Sequence, residues 1–137
     1  MKKYEIIPNK SVGEFKLNDD ISSYLKKYDF EYLPPDDIVY WEMYLLEDEG
    51  IDIAVEDNKI DSIFCSKNCY LNGKNLIGMN INDFIKLIDA KPDKIETLYV
   101  TDTDTQDVYD FYDLGFQVWC DKDTIVEIVV LTYEDVE

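Results

Sequence analysis

Apolar and polar positions alternate in several stretches of the chain. Val39, Trp41, Met43 and Leu45 alternate with Tyr40, Glu42 and Tyr44, the period-two pattern of a half-buried strand. Gly50 follows, and two apolar arms, Ile51 to Val55 and Ile60 to Phe64, flank Glu56-Asp57-Asn58-Lys59, which predicts a hairpin. A second set predicts strands over Val108 to Tyr112, Phe116 to Cys120 and Ile125 to Leu131, with a turn at Asp121-Lys122-Asp123-Thr124. The largely apolar run from Val126 to Leu131 predicts a central strand covered on both faces. Two segments carry helical spacing instead. Ile81, Phe84, Ile85 and Ile88 form one stripe, limited by Pro92, and Ile21, Tyr24, Leu25 and Tyr28 form the other. Asp20 and Asn80 stand where an N-cap is needed, just after Asn18 and Gly78, which tolerate a left-handed backbone.

The two sets align. Residues 17–26 match residues 77–86, and residues 50–63 match residues 115–128, with Tyr44 and Tyr109 at the same offset. The expected fold is therefore a single α+β domain over 1–137 made of two tandem related units, about 1–68 and 69–137. Each unit would be a helix of about three turns followed by a three-stranded antiparallel meander, with the helices on one side of the sheet.

Composition narrows the chemistry. Thirty-one acids stand against 13 lysines, with no arginine and no histidine, for a formal charge of −18 over 137 residues. No imidazole is present to serve a nucleophile or a metal, and no guanidinium to clamp phosphate. An enzyme is not expected, nor any cofactor. Nucleic acid and anionic membrane should be repelled and a basic protein attracted. No apolar run reaches membrane-spanning length and the start has no apolar h-region, so a cytoplasmic protein is expected. Cys65, Cys69 and Cys120 are expected as reduced, packed thiols. The series from Asp102 to Asp107 opens like a calcium loop, but Asp107 stands where glycine is required, so a solvated loop is expected.

The charge is segregated. Eleven acids and no lysine lie between Tyr28 and Asn58, and seven acids and no lysine between Ile95 and Asp121, while Lys26, Lys27, Lys86, Lys91 and Lys94 lie on or just beyond the expected helices. The strand face away from the helices should be anionic, and it should carry Tyr40, Glu42 and Tyr44 on one side of their strand and Trp119 beside Gln117. Aromatics dominate interface hot spots and acids steer a basic partner. The expected partner-binding residues are Asp36, Asp37, Tyr40, Glu42, Tyr44, Glu47, Asp48, Asp102, Asp104, Asp110, Tyr112 and Trp119. Packing between the two units is the alternative account of the aromatics.

An extended lead, a small-residue helix start and three antiparallel strands resemble the helix-plus-meander unit of outer-membrane assembly lipoproteins of the SmpA/OmlA kind, and tandem units of that sort are similar in layout to β-lactamase inhibitor protein. More specifically, residues 4–13 (YEIIPNKSVG), Asn75-Leu76-Ile77-Gly78-Met79 and Gly115-Phe116-Gln117-Val118-Trp119 resemble small acidic bacterial immunity proteins of toxin-immunity systems, including those of contact-dependent inhibition. The resemblance departs at Asn18, where glycine is expected, and around Asp36 and Asp37. It implies a cytoplasmic protein, monomeric before binding, that neutralises a cognate basic toxin domain, with a nuclease the natural partner. An acidic nucleic-acid mimic or a structural interaction module are the alternatives.

Overall fold

The computed structural model describes residues 3–38 and 40–133. Val39, expected at the start of a strand, lies outside the described residues. In chain order the elements are β1 (Tyr4–Ile7), β2 (Ser11–Val12), β3 (Phe15–Lys16), β4 (Glu31–Leu33), β5 (Glu42–Leu46), β6 (Ile51–Glu56), β7 (Lys59–Cys65), β8 (Cys69–Leu71), β9 (Lys74–Asn75), α1 (Ile81–Ile88), β10 (Lys94–Tyr99), β11 (Thr105–Phe111), β12 (Phe116–Asp121) and β13 (Thr124–Leu131).

Eight strands form one antiparallel sheet in the order β10-β11-β12-β13-β7-β6-β5-β4. The other five form a small sheet, β3-β2-β1-β8-β9, in which β1 and β8 run parallel. The two long hairpins close on two-residue turns. Asp57 and Asn58, and likewise Lys122 and Asp123, all have positive φ, as a type I′ turn requires at both central positions. Each hairpin also skips one residue in its register, at Asp61 and at Val126.

One face of the large sheet holds the core. Ile51, Ile53, Ile60, Ile63, Phe111, Phe116, Val118, Ile125, Ile128 and Val130 pack with Tyr4, Ile6, Val12 and Phe15 of the small sheet and with Ile81 and Phe84 of α1. Phe84 meets Phe111 and Phe116 at ring-centroid distances of 5.7 and 6.4 Å. Phe15, Tyr24, Tyr28, Phe30 and Tyr44 form a second aromatic cluster on the same side.

This architecture corrects the expected α+β fold of two helix-plus-meander units. Among the described residues the protein is mostly strand, with one α-helix of eight residues. The stripe beginning at Ile21 does not become a helix. Only Ile21–Ser23 forms a 3-10 turn, capped by the Asp20 side chain, before the chain carries Tyr28 and Phe30 into the aromatic cluster. Ser22, Ser23, Tyr24 and Tyr28 are weak helix formers, and burying the rings prevails. The meanders are not separate three-stranded sheets either, because β4 and β10 extend them and β7 pairs with β13 along a central seam.

What the aligned positions share is local. The Asn18 and Gly78 N–H groups donate to the Ile60 and Ile125 carbonyls, the Asp19 and Met79 carbonyls accept from Ile60 and Ile125, and Ile21 and Ile81 donate to Asn58 and Asp123. Asp20 bridges Lys59 as Asn80 bridges Thr124.

Two further expectations change. Cys65 and Cys69 are joined by a disulfide that spans the crossing from the large sheet to the small one, and only Cys120 is a free thiol, which is buried. The run Val126 to Leu131 is central, but Glu127 interrupts it and half-buries its carboxylate on the face away from the core. Among the described residues no helix is long and apolar enough to cross a membrane.

Candidate functional site

Strand register fixes which side chains share the outer face of the large sheet. One row runs across all eight strands: Lys94, Asp110, Gln117, Val129, Phe64, Asp52, Leu45 and Glu31. The adjacent row holds Glu96, Val108, Trp119 and Glu127. Side chains alternate between faces along each strand, so these residues point away from the core built by α1 and the small sheet. Small apolar groups, Ala54, Val108 and Val129, are buried in the floor of this face, and Phe64, Trp119 and Met43 stand half-buried among them.

Carboxylates sit at the centre. Burial, with Asp52 nearby, pushes Glu127 up from 4.5 to about 7. Asp52 is itself raised, by burial and then by Glu47. Removing a carboxylate from water disfavours its charged form, and a neighbouring acid adds to that. None of the three salt bridges among the described residues reaches either group. The one lysine in these two rows, Lys94, lies at the edge and contacts Glu96 at 3.7 Å.

Towards β11 a hydrogen-bond chain orders the polar groups. Trp119 Nε1 donates to Gln117 Oε1 at 2.8 Å, and Gln117 Nε2 donates to Asp110 Oδ1 at 3.1 Å. The Tyr133 hydroxyl lies 2.7 Å from the same Asp110 oxygen and 2.6 Å from the Phe116 carbonyl, so its proton serves one of them at a time. The Tyr112 ring packs edge-on against Tyr133 at 4.8 Å. Burial and the bond to Asp110 raise the Tyr133 pKa. The indole is thereby held in one orientation.

The sequence-derived candidates divide into groups. Asp110, Tyr112 and Trp119 come together in this network, although Asp110 is buried rather than exposed. Glu47 and Asp48 lie on the 3-10 turn after β5, beside a groove lined by Lys27, Tyr28, Glu31 and Leu45. Glu47 couples electrically to Asp52. Asp36 and Asp37 are exposed after β4, where the Asp36 carboxylate accepts from the Ile38 N–H at 2.8 Å. Asp102 and Asp104 occupy the β10–β11 loop, where Asp104 N–H donates to the Thr101 hydroxyl. β4 and β10 are opposite edges of the sheet, about 33 Å apart at the usual strand spacing, so the acids near them do not form one patch.

The expected side of β5 is corrected. Glu42 and Tyr44 pair with Val55 and Ile53, on the core-facing side. Tyr44 meets Phe30 and Tyr32, and Glu42 accepts the Tyr32 hydroxyl at 2.7 Å, a bond that pushes Tyr32 up to about 12. Met43 and Leu45 take the outer face instead. Tyr40 is 79% exposed and lies before the strand begins.

Glu127, Asp52, Phe64 and Tyr133 are the residues that patterning missed. An acid isolated within an apolar strand was the available signal for Glu127. Phe64 and Asp52 reach the outer face only through a cross-strand register that no single segment reveals. Cys120 offers no chemistry, since burial, with Asp107 and Asp123, pushes its thiol up to about 12 and thiolate is the reactive form. No family model, no curated protein and no solved structure matches this chain.

Proposed function

We propose that this chain is a cytoplasmic immunity protein, without catalytic activity, that neutralises a cognate basic toxin domain by holding it on the outer face of the large sheet. The observation that carries this reading is the raised Glu127 beside Asp52, two desolvated carboxylates on a face flanked by Trp119 and Phe64. A charge kept where it costs stability is what a binding site for an opposite charge requires. A lysine or arginine from the partner would restore the favourable state of both acids. A nuclease fits best, because the groove it offers to phosphates is basic and a carboxylate-lined surface can occupy it. The orientation of Trp119, fixed through Gln117 and Asp110, supplies a rigid apolar anchor of the kind that dominates interface energetics.

The test is to mix the chain with the product of the neighbouring toxin gene and to follow toxin activity and affinity against ionic strength. A stoichiometric complex that abolishes toxicity and weakens with salt is expected. Trp119→Ala should weaken it by about 2 kcal/mol or more, roughly thirtyfold. Failure to bind or protect overturns the reading, and so does comparable binding to several unrelated basic proteins, which is the behaviour of a nucleic-acid mimic.

A further inference from the structure

The four sheet edges are unequal. Among the described residues, β3, β9 and β4 are strands of two or three residues, and Pro34 and Pro35 directly follow β4. Short strands and prolines are two of the devices that keep an edge from pairing. β10 has neither. It runs six residues without proline or a bulge in its register with β11. Its apolar side chains are open to solvent, with Ile95 58%, Tyr99 79% and the following Val100 54% exposed.

The phase of its free backbone follows from one bond. Val100 N–H donates to the Asp104 carbonyl at 2.8 Å, so in this antiparallel ladder the even-numbered residues of β10 face β11. Ile95, Thr97 and Tyr99 then turn their N–H and C=O groups outwards.

From this edge we infer that the protein forms a homodimer by antiparallel pairing of β10 with β10 of a second copy, centred on Thr97, which joins the two large sheets into one.

Thr97 would face Thr97 of the other copy, and Ile95 would face Tyr99 at both ends of the ladder. These are hydrogen-bonded pairs, giving about six backbone bonds. They also match a β-branched side chain with an aromatic ring, a favourable cross-strand combination. Charge decides for a second copy of this chain over a foreign strand. In a protein of charge −18, β10 itself is neutral, with one lysine and one glutamate. Its two ends are unlike: exposed Lys91 and Lys94, with Asp93 between them accepting the Tyr112 N–H, stand at the start, and exposed Asp102 and Asp104 follow the end. Antiparallel self-pairing lays the lysine end of each copy beside the acid end of the other. The charge of the whole chain argues for a monomer, but pairing along this edge sets one neutral strand against another and each pair of lysines beside a pair of acids.

The experiment is sedimentation equilibrium of the full chain from low micromolar to millimolar concentration, with no toxin present, so that it stands apart from the proposed toxin binding. Wild type should approach twice the monomer mass. Thr97→Pro removes an outward N–H at a position where an edge strand tolerates proline, and it should raise the dimer dissociation constant roughly tenfold or more. The double variant Ile95→Glu/Tyr99→Glu changes only exposed side chains and brings four carboxylates together, so it should be monomeric with an unchanged circular dichroism spectrum. Mild oxidation of Thr97→Cys should give a covalent dimer, whereas Ser23→Cys should not. A wild-type monomer at every concentration overturns the inference, as does a dimer that survives the folded double variant.

Discussion

Replacing Glu127 by glutamine should make the protein more stable, and only at high pH. Glutamine has the shape of the protonated acid, so the variant reports the cost of the charge. Glu127 is raised from 4.5 to about 7. Below about pH 4.5 the group is protonated in folded and unfolded chains alike and costs nothing. Between that pH and about 7 the unfolded chain releases the proton first, so stability falls as pH rises. Above about pH 7 the whole cost is present. A shift of about 2.5 units corresponds to a ceiling of about 3.4 kcal/mol. The carboxylate keeps part of its contact with water, and screening reduces this to about 1.5–2 kcal/mol. For a chain of this length that is about 5–9 °C in Tm. Urea and thermal unfolding of both proteins near pH 4 and pH 8 give the measurement, since the carboxylates not coupled to Glu127 cancel in the difference and relief of its repulsion with Asp52 belongs to the same gain. Equal stability at both pH values would refute the reasoning. An equal gain at both would place the effect in packing rather than in charge.

Other perturbations have equally definite outcomes. The same Glu127→Gln variant should bind the toxin more weakly while being more stable, and surface-plasmon-resonance affinities beside unfolding curves would show the opposite signs. Reducing the Cys65–Cys69 bridge, or Cys65→Ala/Cys69→Ala, should cost about 2 kcal/mol for so short a loop, read by chemical unfolding with and without reductant. Gly115→Ala should cost about 2–4 kcal/mol, since φ is +66° and a Cβ would stand 2.8 Å from the Leu131 carbonyl oxygen, whereas Gly73→Ala, with nothing within 4 Å, should cost only about 1 kcal/mol. Phe84→Ala should cost about 3–5 kcal/mol, because its ring is fully buried between α1 and two strands.

The long hairpins were legible because Ile51 to Val55 and Phe116 to Cys120 alternate over several residues and are followed by turn residues that accept positive φ. α1 was legible from Ile81, Phe84 and Ile88. The small sheet was not, since strands of two to four residues such as Ser11–Val12 and Lys74–Asn75 are too short to show a period. The helix expected from Ile21 failed because the spacing of Ile21, Tyr24 and Tyr28 equally serves a turn that feeds rings to Phe15. At the candidate site, Trp119 opposite Phe116 and Val118 followed from alternation alone. The placement of Tyr44 on the core side did not, because alternation within a strand gives two sets of residues without saying which one faces inwards. Asp52 and Glu127 lie 75 positions apart in sequence and are brought into range only by the pairing of β7 with β13.

That seam also sets the order of assembly. β13 is the last strand among the described residues, yet it occupies the middle of the large sheet. While the polypeptide is being made, β7 is finished at Cys65 but its partner ends at Leu131. At ordinary elongation rates roughly 3–13 s separate the two. Throughout that interval the nascent chain offers an apolar strand edge with no mate, so a stalled or prematurely terminated product would be a target for chaperones and proteases rather than a partly working protein.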